Sequence, residues 1–160
     1  MAPVTIRRAK AGDAARLNRA LAKLSAHLGD THHASDAAIE HAGFGPSPSF
    51  IALLAERDED LVGVAMFSRV FSTVMGAPGV LVSDLWIEER MRGEGLGRRL
   101  LAAAGKLGAE EWGAAYLKLS VSNSNADARA AYARLGFTPI LGETPMILGG
   151  ALFETLKGGS

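Results

Sequence analysis

The chain contains no cysteine. That single absence excludes disulfides, thiolate metal ligands and a cysteine nucleophile. It also lacks an excess of either charge, since 17 Lys and Arg stand against 17 Asp and Glu. The balance gives no global electrostatic footprint for nucleic acid, and no nucleic-acid partner is expected. No apolar run approaches the roughly 20 residues of a membrane-crossing helix. The first residues, MAPVTIRRAKAGD, have no apolar core of the signal-peptide kind. A cytoplasmic protein without a membrane partner is the expectation. The four histidines are His27, His32, His33 and His41. Adjacent side chains on one loop rarely converge and no zinc spacing is present, so no metal is expected.

Hydrophobic residues make up 48% of the 160 positions. One domain over residues 1–157 with one buried core is the natural reading, followed by a disordered tail over 158–160. Residues 4–9 (VTIRRA) alternate as a strand does. Asp13 then stands where it can cap a helix whose apolar stripe is Leu17, Leu21, Leu24 and Leu28. Ser35 is placed to cap a short second helix, which GPSPS breaks. SFIALLAE and LVGVAMFSRVF flank the charged turn RDED and predict a hairpin. VLVSDLWI (80–87) is apolar on both faces except at Ser83 and Asp84, the pattern of a central strand.

A helix at Leu96, Leu100, Ala104 and Leu107 follows and ends at Gly113; AYLKLSV then alternates as a strand. NSNADARAAYARLGF predicts a short helix with Asn125 as cap and Gly136 at its end. TPILGETPMILGGALFETL predicts two short strands around a Gly/Pro turn. The order β-α-α-β-β-β-α-β-α-β-β implies an α+β fold, a mixed α/β domain with helices on a largely antiparallel sheet.

Between the central strand and the long helix lies RMRGEGLGRR, residues 90–99. Glycines let backbone approach a ligand closely. The helix start offers unpaired N–H groups, and Arg90, Arg92, Arg98 and Arg99 add positive charge. Together these suit a phosphate or pyrophosphate. The known phosphate loops do not fit. A P-loop ends in Lys-Ser or Lys-Thr, where this chain has Arg98-Arg99. A G-x-G-x-x-G fingerprint started at Gly93 or Gly95 meets Arg98 or Leu100 in place of its third glycine. Taken alone, the triplet also fits a tight turn before an exposed basic helix.

The spacing Arg92-x-x-Gly95-x-Gly97, after a buried strand and before an amphipathic helix, resembles the acetyl-CoA loop of the GNAT superfamily of N-acetyltransferases. VSNSNADARAAYARLGF resembles that family's later motif, with Asn125, Ala128, Tyr132, Gly136 and Phe137 at the matching positions. Asp84 and Trp86 are similar to the diamine and polyamine acetyltransferase branch, although Ser83 stands where that branch often has Glu. The resemblance implies the GNAT acyl-CoA N-acyltransferase fold, a central, mostly antiparallel sheet flanked by helices. It implies acetyl-CoA as co-substrate and a small-molecule amine as acceptor.

By the same resemblance, backbone N–H groups from about Met91 to Gly97 would hold the pyrophosphate. The cofactor-binding stretch is then Arg92, Gly93, Glu94, Gly95, Leu96, Gly97 and Arg98. Leu85, Trp86 and Ile87 would offer backbone groups to the pantetheine arm, one N–H stabilising the oxyanion. Asn125 would touch the CoA arm as well as cap its helix. Tyr132 would be the general acid for the leaving thiolate, its phenol being protonated at neutral pH; it also fits a core aromatic of its helix. Asp84 would be base or ammonium anchor, or a structural carboxylate where the strands part. His32 and Trp86 would line the acceptor site.

The family's habits imply a homodimer. Three other readings fit the sequence: an acyl-CoA-binding regulator without transfer activity, an acetyltransferase of protein amino groups, and a nucleotide-binding protein that uses the glycine loop. The identity of the acceptor is not written in the motifs.

Overall fold

The computed structural model describes residues 2–158, so Gly159 and Ser160 of the expected tail lie outside the described residues. The chain forms two compact units that divide between Ser122 and Asn123.

The first unit holds one five-stranded sheet in the order β1 (Thr5–Arg8), β2 (Ile51–Arg57), β3 (Asp60–Ser72), β4 (Ala77–Ile87), β5 (Leu117–Leu119). Every pairing is antiparallel except β4 with β5. Helices α1 (Ala14–Leu28) and α2 (Asp36–Phe44) connect β1 to β2, and α3 (Leu96–Trp112) connects β4 to β5. A parallel neighbour requires such a crossover.

The apolar stripe of α1 packs as its spacing predicts. Leu17 and Leu21 are buried and Leu24 partly so, whereas Leu28 emerges half exposed. They meet Ile39 of α2 and Leu54, Val64 and Trp86 of the sheet. The opposite face carries Val80 and Phe67 and receives α3. A Cβ at Gly108 would overlap Val80 Cγ2, so a glycine is what lets α3 lie this close to β4. Trp112 finishes that contact, donating its indole N–H to Gly79 O at 3.1 Å.

Ser35 caps α2 as expected, its hydroxyl accepting from the Ala38 N–H at 3.1 Å. Asp13 does not cap α1 with its side chain. The carboxylate has a stronger suitor. Arg7 grips it with two N–H groups at 2.8 and 2.9 Å and reaches Glu56 with two more at 3.0 Å. Arg16 donates to the same Glu56 at 2.8 Å, which ties β1, β2 and α1 together. Hydrogen bonding from Arg7 holds Asp13 at about 2, from an ordinary 3.8, and lowers Glu56 as well. A depressed carboxylate stabilises the fold above its unfolded pKa and loses that contribution as pH falls through the folded one. For Asp13 the shift is worth about 2 kcal/mol, present above about pH 4 and lost towards pH 2. Urea unfolding at pH 7 and pH 2.5 checks this. Asp13→Asn is expected to cost stability at pH 7 and to flatten the acid loss; an equally steep loss in the variant would contradict it.

In the second unit, α4 (Ala126–Leu135) and α5 (Gly150–Leu156) are the regular elements. Asn125 Oδ1 accepts from the Ala128 N–H at 3.2 Å, the expected cap. Gly136 ends α4 in the left-handed region at φ 99°. The two strands expected over 138–156 are absent. Residues 138–149 carry no regular structure, and α5 takes the remainder. Pro139 and Pro145 have no N–H for a ladder, and a strand needs a partner that this unit does not supply. Ala151, Leu152, Glu154 and Leu156 favour helix.

Candidate active site

The site begins with a slip in register. β3 pairs Met66 with Asp84 and Phe67 with Val82, so Ser83 is the extra residue of a β-bulge. Its hydroxyl donates to Met66 O at 3.2 Å and satisfies the carbonyl at the slip. Beyond the bulge, Asp84 and Trp86 share a face with their partners Met66 and Val64, the face that packs α1 and α2.

The bulge coincides with the end of the β4–β5 ladder, which runs only from Val80 to Val82. Past that point the two strands part. Glu88 N–H bonds to Val62 O at 2.9 Å, so Glu88 and Trp86 turn their backbone groups toward β3. Alternation then turns those of Leu85 and Ile87 to the open edge. No strand pairs with that edge among the described residues. Arg92 Nε donates to Ile87 O at 3.3 Å and closes its far end.

The glycine loop follows directly. Met91, 3% exposed, anchors it in the core, while residues 92–95 are all exposed. Gly93 and Gly95 sit at φ 79° and 80°, a region that favours glycine, with open space where a Cβ would stand. Gly95 is also the N-cap of α3 and contributes no side chain there, so the first N–H groups of the helix face outward. Not all of the flanking arginines serve the loop. Arg99 donates to Val4 O at 2.8 Å, and Arg90 pairs with Asp60 at 3.3 Å. Arg92 and Arg98 remain as its exposed charges, with Glu94 between them. An exposed basic loop with free helix N–H groups, continuous with an unpaired strand edge, fits a diphosphate joined to an amide-bearing arm. The residues present therefore suit acetyl-CoA.

Asp84 is half-buried, and its carboxylate has no hydrogen-bond or ion-pair partner among the described residues. Ser83, its neighbour, does the structural work where the strands part. His32 is drawn elsewhere. Asn18 donates to Ala34 O and Asp36 Oδ1, which turns its amide oxygen to His32 Nε2 at 2.7 Å. Ser25 Oγ meets His32 Nδ1 at 3.0 Å. Both ring nitrogens thus hold the α1–α2 loop. His33 is exposed. Sequence reasoning missed Lys23, whose ammonium stands 5.4 Å from the Trp86 ring centroid. Its position beside the Ala20 and Leu24 stripe of α1 was the available signal.

In the second unit, Tyr132 packs edge-on against Phe137 at 5.6 Å, half-buried. Burial raises its phenol above the usual value, so it stays protonated throughout the neutral range. Among the described residues, no group of three or more His, Cys, Asp or Glu is arranged to hold a metal ion. No helix there is long and apolar enough to cross a membrane.

The family model described as "Acetyltransferase (GNAT) family" matches residues 18–137. Thialysine N-epsilon-acetyltransferase of Sus scrofa is 28% identical over 146 residues, 85% of this chain and 85% of that protein. Among solved structures, an integron cassette protein from the V. cholerae mobile metagenome superposes with a TM-score of 0.80 at 19% identity, covering 97% of this chain and 98% of that one. Aminoglycoside N-acetyltransferase AAC(6')-Iy, solved in complex with CoA, gives 0.74 at 17% identity over 94% and 97% of the two chains.

Proposed function

The chain belongs to the acetyltransferase (GNAT) family and is an acetyl-CoA-dependent N-acetyltransferase, and from that premise we propose that it acetylates a primary amine of a small molecule by direct attack. The observation that carries the proposal is the partnerless carboxylate of Asp84 beside an unpaired strand edge. Acetyltransferase relatives whose names specify thialysine and aminoglycosides support an amine on a small molecule.

In this reading the glycine loop and the α3 N-terminus bind the pyrophosphate of acetyl-CoA, and the open edge of Leu85 and Ile87 binds its amide arm. Asp84 holds the incoming ammonium and takes its proton, directly or through a water. The neutral amine attacks the thioester carbonyl, and the oxyanion is stabilised by a backbone N–H of the open edge. The C–S bond then breaks. Tyr132 gives its proton to the departing thiolate, the second proton leaving the nitrogen restores the phenol, and Asp84 passes the first to solvent. Asn125 holds the start of the helix that carries Tyr132 and contacts the CoA arm.

Free-thiol release from acetyl-CoA, followed against short diamines, amino acids with a side-chain amine and aminoglycosides, tests this reading. Turnover with at least one class is expected. Asp84→Asn is expected to lower kcat/KM for that amine by about 10²-fold. Silence across the panel, with acetyl-CoA still raising the melting temperature, would overturn the small-amine acceptor.

A further inference from the structure

β3 outruns the strand beside it. β2 begins at Ile51, opposite Phe67, and the chain before it turns away, the Ser49 N–H donating to Ala42 O. Over residues 68–72, β3 therefore pairs with β4 alone among the described residues. The far side of β4 decides which backbone groups this leaves free. Arg69 stands opposite Val80, and Phe71 opposite Pro78. Val80 donates its N–H to Tyr116 O, and Pro78 O accepts from the Ala115 N–H, both at 2.9 Å. Both residues thus turn their backbone toward β5, and Pro78 has no N–H to give in any case. In an antiparallel pair, opposite residues exchange both hydrogen bonds or neither. The N–H and C=O of Arg69 and of Phe71 therefore point to the free edge.

The other outer strands are guarded. β1 has four residues and carries Arg7 and Arg8, and β5 has three and carries Lys118. The free length of β3 holds neither proline nor lysine. Phe71 is 63% exposed there, and the hairpin tip adds Val74 at 96% and Met75 at 57%. An apolar edge with unpaired backbone groups is a template for another strand.

The residues about Val70 are their own complement. When two copies of residues 68–72 lie antiparallel about a twofold axis at Val70, Arg69 meets the partner's Phe71, and Ser68 meets the partner's Ser72. The free groups of Arg69 then face the free groups of the partner's Phe71, so this register makes hydrogen bonds. A slip of one residue would face them with groups already bonded to β4. A slip of two would set Arg69 against the partner's Arg69, with like charges opposed. Arg69 and Phe71 share a face of the strand, so each guanidinium lies beside the partner's phenyl ring, a cation–π pair made twice. Arg69 is the only charge between Asp60 and Asp84, and it makes no ion pair among the described residues. The zero net charge of the chain leaves no overall repulsion between two copies.

We propose that the free edge of β3 pairs with the same edge of a second copy, joining the two chains into a dimer whose sheet continues across the twofold axis. The proposal gives the expected homodimer its surface and is independent of the acceptor amine.

Sedimentation equilibrium between about 1 and 200 µM reads the dimer, and a contact of this size is expected to give a micromolar Kd. Phe71→Lys is expected to weaken the dimer by about tenfold or more, because its ammonium faces the partner's Arg69. Phe71→Glu faces the same guanidinium with the opposite charge and is expected to stay within about threefold of the parent. Arg69→Glu combined with Phe71→Lys restores opposite charges and is expected to recover the dimer, which a misfolded single variant could not do. Amide exchange at Arg69 and Phe71 is expected to slow as the concentration of the parent chain rises. A chain that stays monomeric to about 200 µM overturns the proposal. So does a dimer indifferent to Phe71→Lys, which places the interface elsewhere. Equal loss in Phe71→Lys and Phe71→Glu would mean an apolar contact without strand pairing, and would overturn it as well. A monomer whose edge takes up an extended peptide would replace the second copy by another protein.

Discussion

Tyr132→Phe is expected to lower kcat by about 10²-fold or more while leaving acetyl-CoA affinity within about twofold of the parent. The substitution keeps the ring, so the edge-on contact with Phe137 survives and α4 keeps its packing. It removes only the hydroxyl, and with it the proton donor. A thiolate is a poor leaving group when nothing protonates it, so the loss falls on the chemical step and not on binding. Burial raises the phenol, so the parent enzyme should hold its rate to high pH and lose it only as Tyr132 ionises. That alkaline limb should vanish in the variant. Steady-state kinetics across pH, with acetyl-CoA affinity measured by calorimetry, provides the check. Turnover equal to the parent would remove Tyr132 from the reaction.

Gly95→Val is expected to weaken acetyl-CoA binding by about 10- to 100-fold. Gly95 sits at φ 80°, where an ordinary L-residue costs roughly 1–2 kcal/mol and a β-branched one more. The Cβ would meet no protein atom, so crowding within the fold contributes nothing to the loss. The loop would escape the strain by rotating away, taking with it the N–H groups at the start of α3. A branched side chain would also stand where a diphosphate must approach the backbone. Gly95→Ala should lose less, because it shares the backbone strain and adds less bulk. Parent-like affinity in a folded Gly95→Val chain would mean that the loop does not hold the diphosphate.

Much of this fold was legible in the residues. The hairpin over RDED, the caps at Ser35 and Asn125 and the glycine ends at 113 and 136 depend on local chemistry that a few neighbours decide. Asp13 was misread because its real partners, Arg7 and Glu56, come from β1 and β2, and an N-cap signal contains no information about distant arginines. Residues 138–156 were misread for a related reason. Alternation predicts a strand only where another strand is available to pair, and availability is a tertiary property.

The candidate site divides in the same way. Its glycines, Asp84 and Trp86 are visible as a motif. Ser83 as the bulge residue, the parting of β4 from β5, and Lys23 over Trp86 each require two segments brought together.

The extra residue in β4 also sets the parity of everything after it. Val80 and Val82 point toward α3, and after Ser83 the even positions, Asp84 and Trp86, point toward α1. Every side chain between Ser83 and the glycine loop therefore takes its face from a count, not from its own chemistry. A point change at Ser83 would disturb one hydrogen bond. Pairing Ser83 as an ordinary residue of the ladder would exchange the two surfaces of the strand end, driving a carboxylate toward the α3 core and pulling an indole from its pocket, whereas removing Ser83 would leave both side chains on the α1 face. In this segment the one residue left out of the ladder decides which surface the site belongs to.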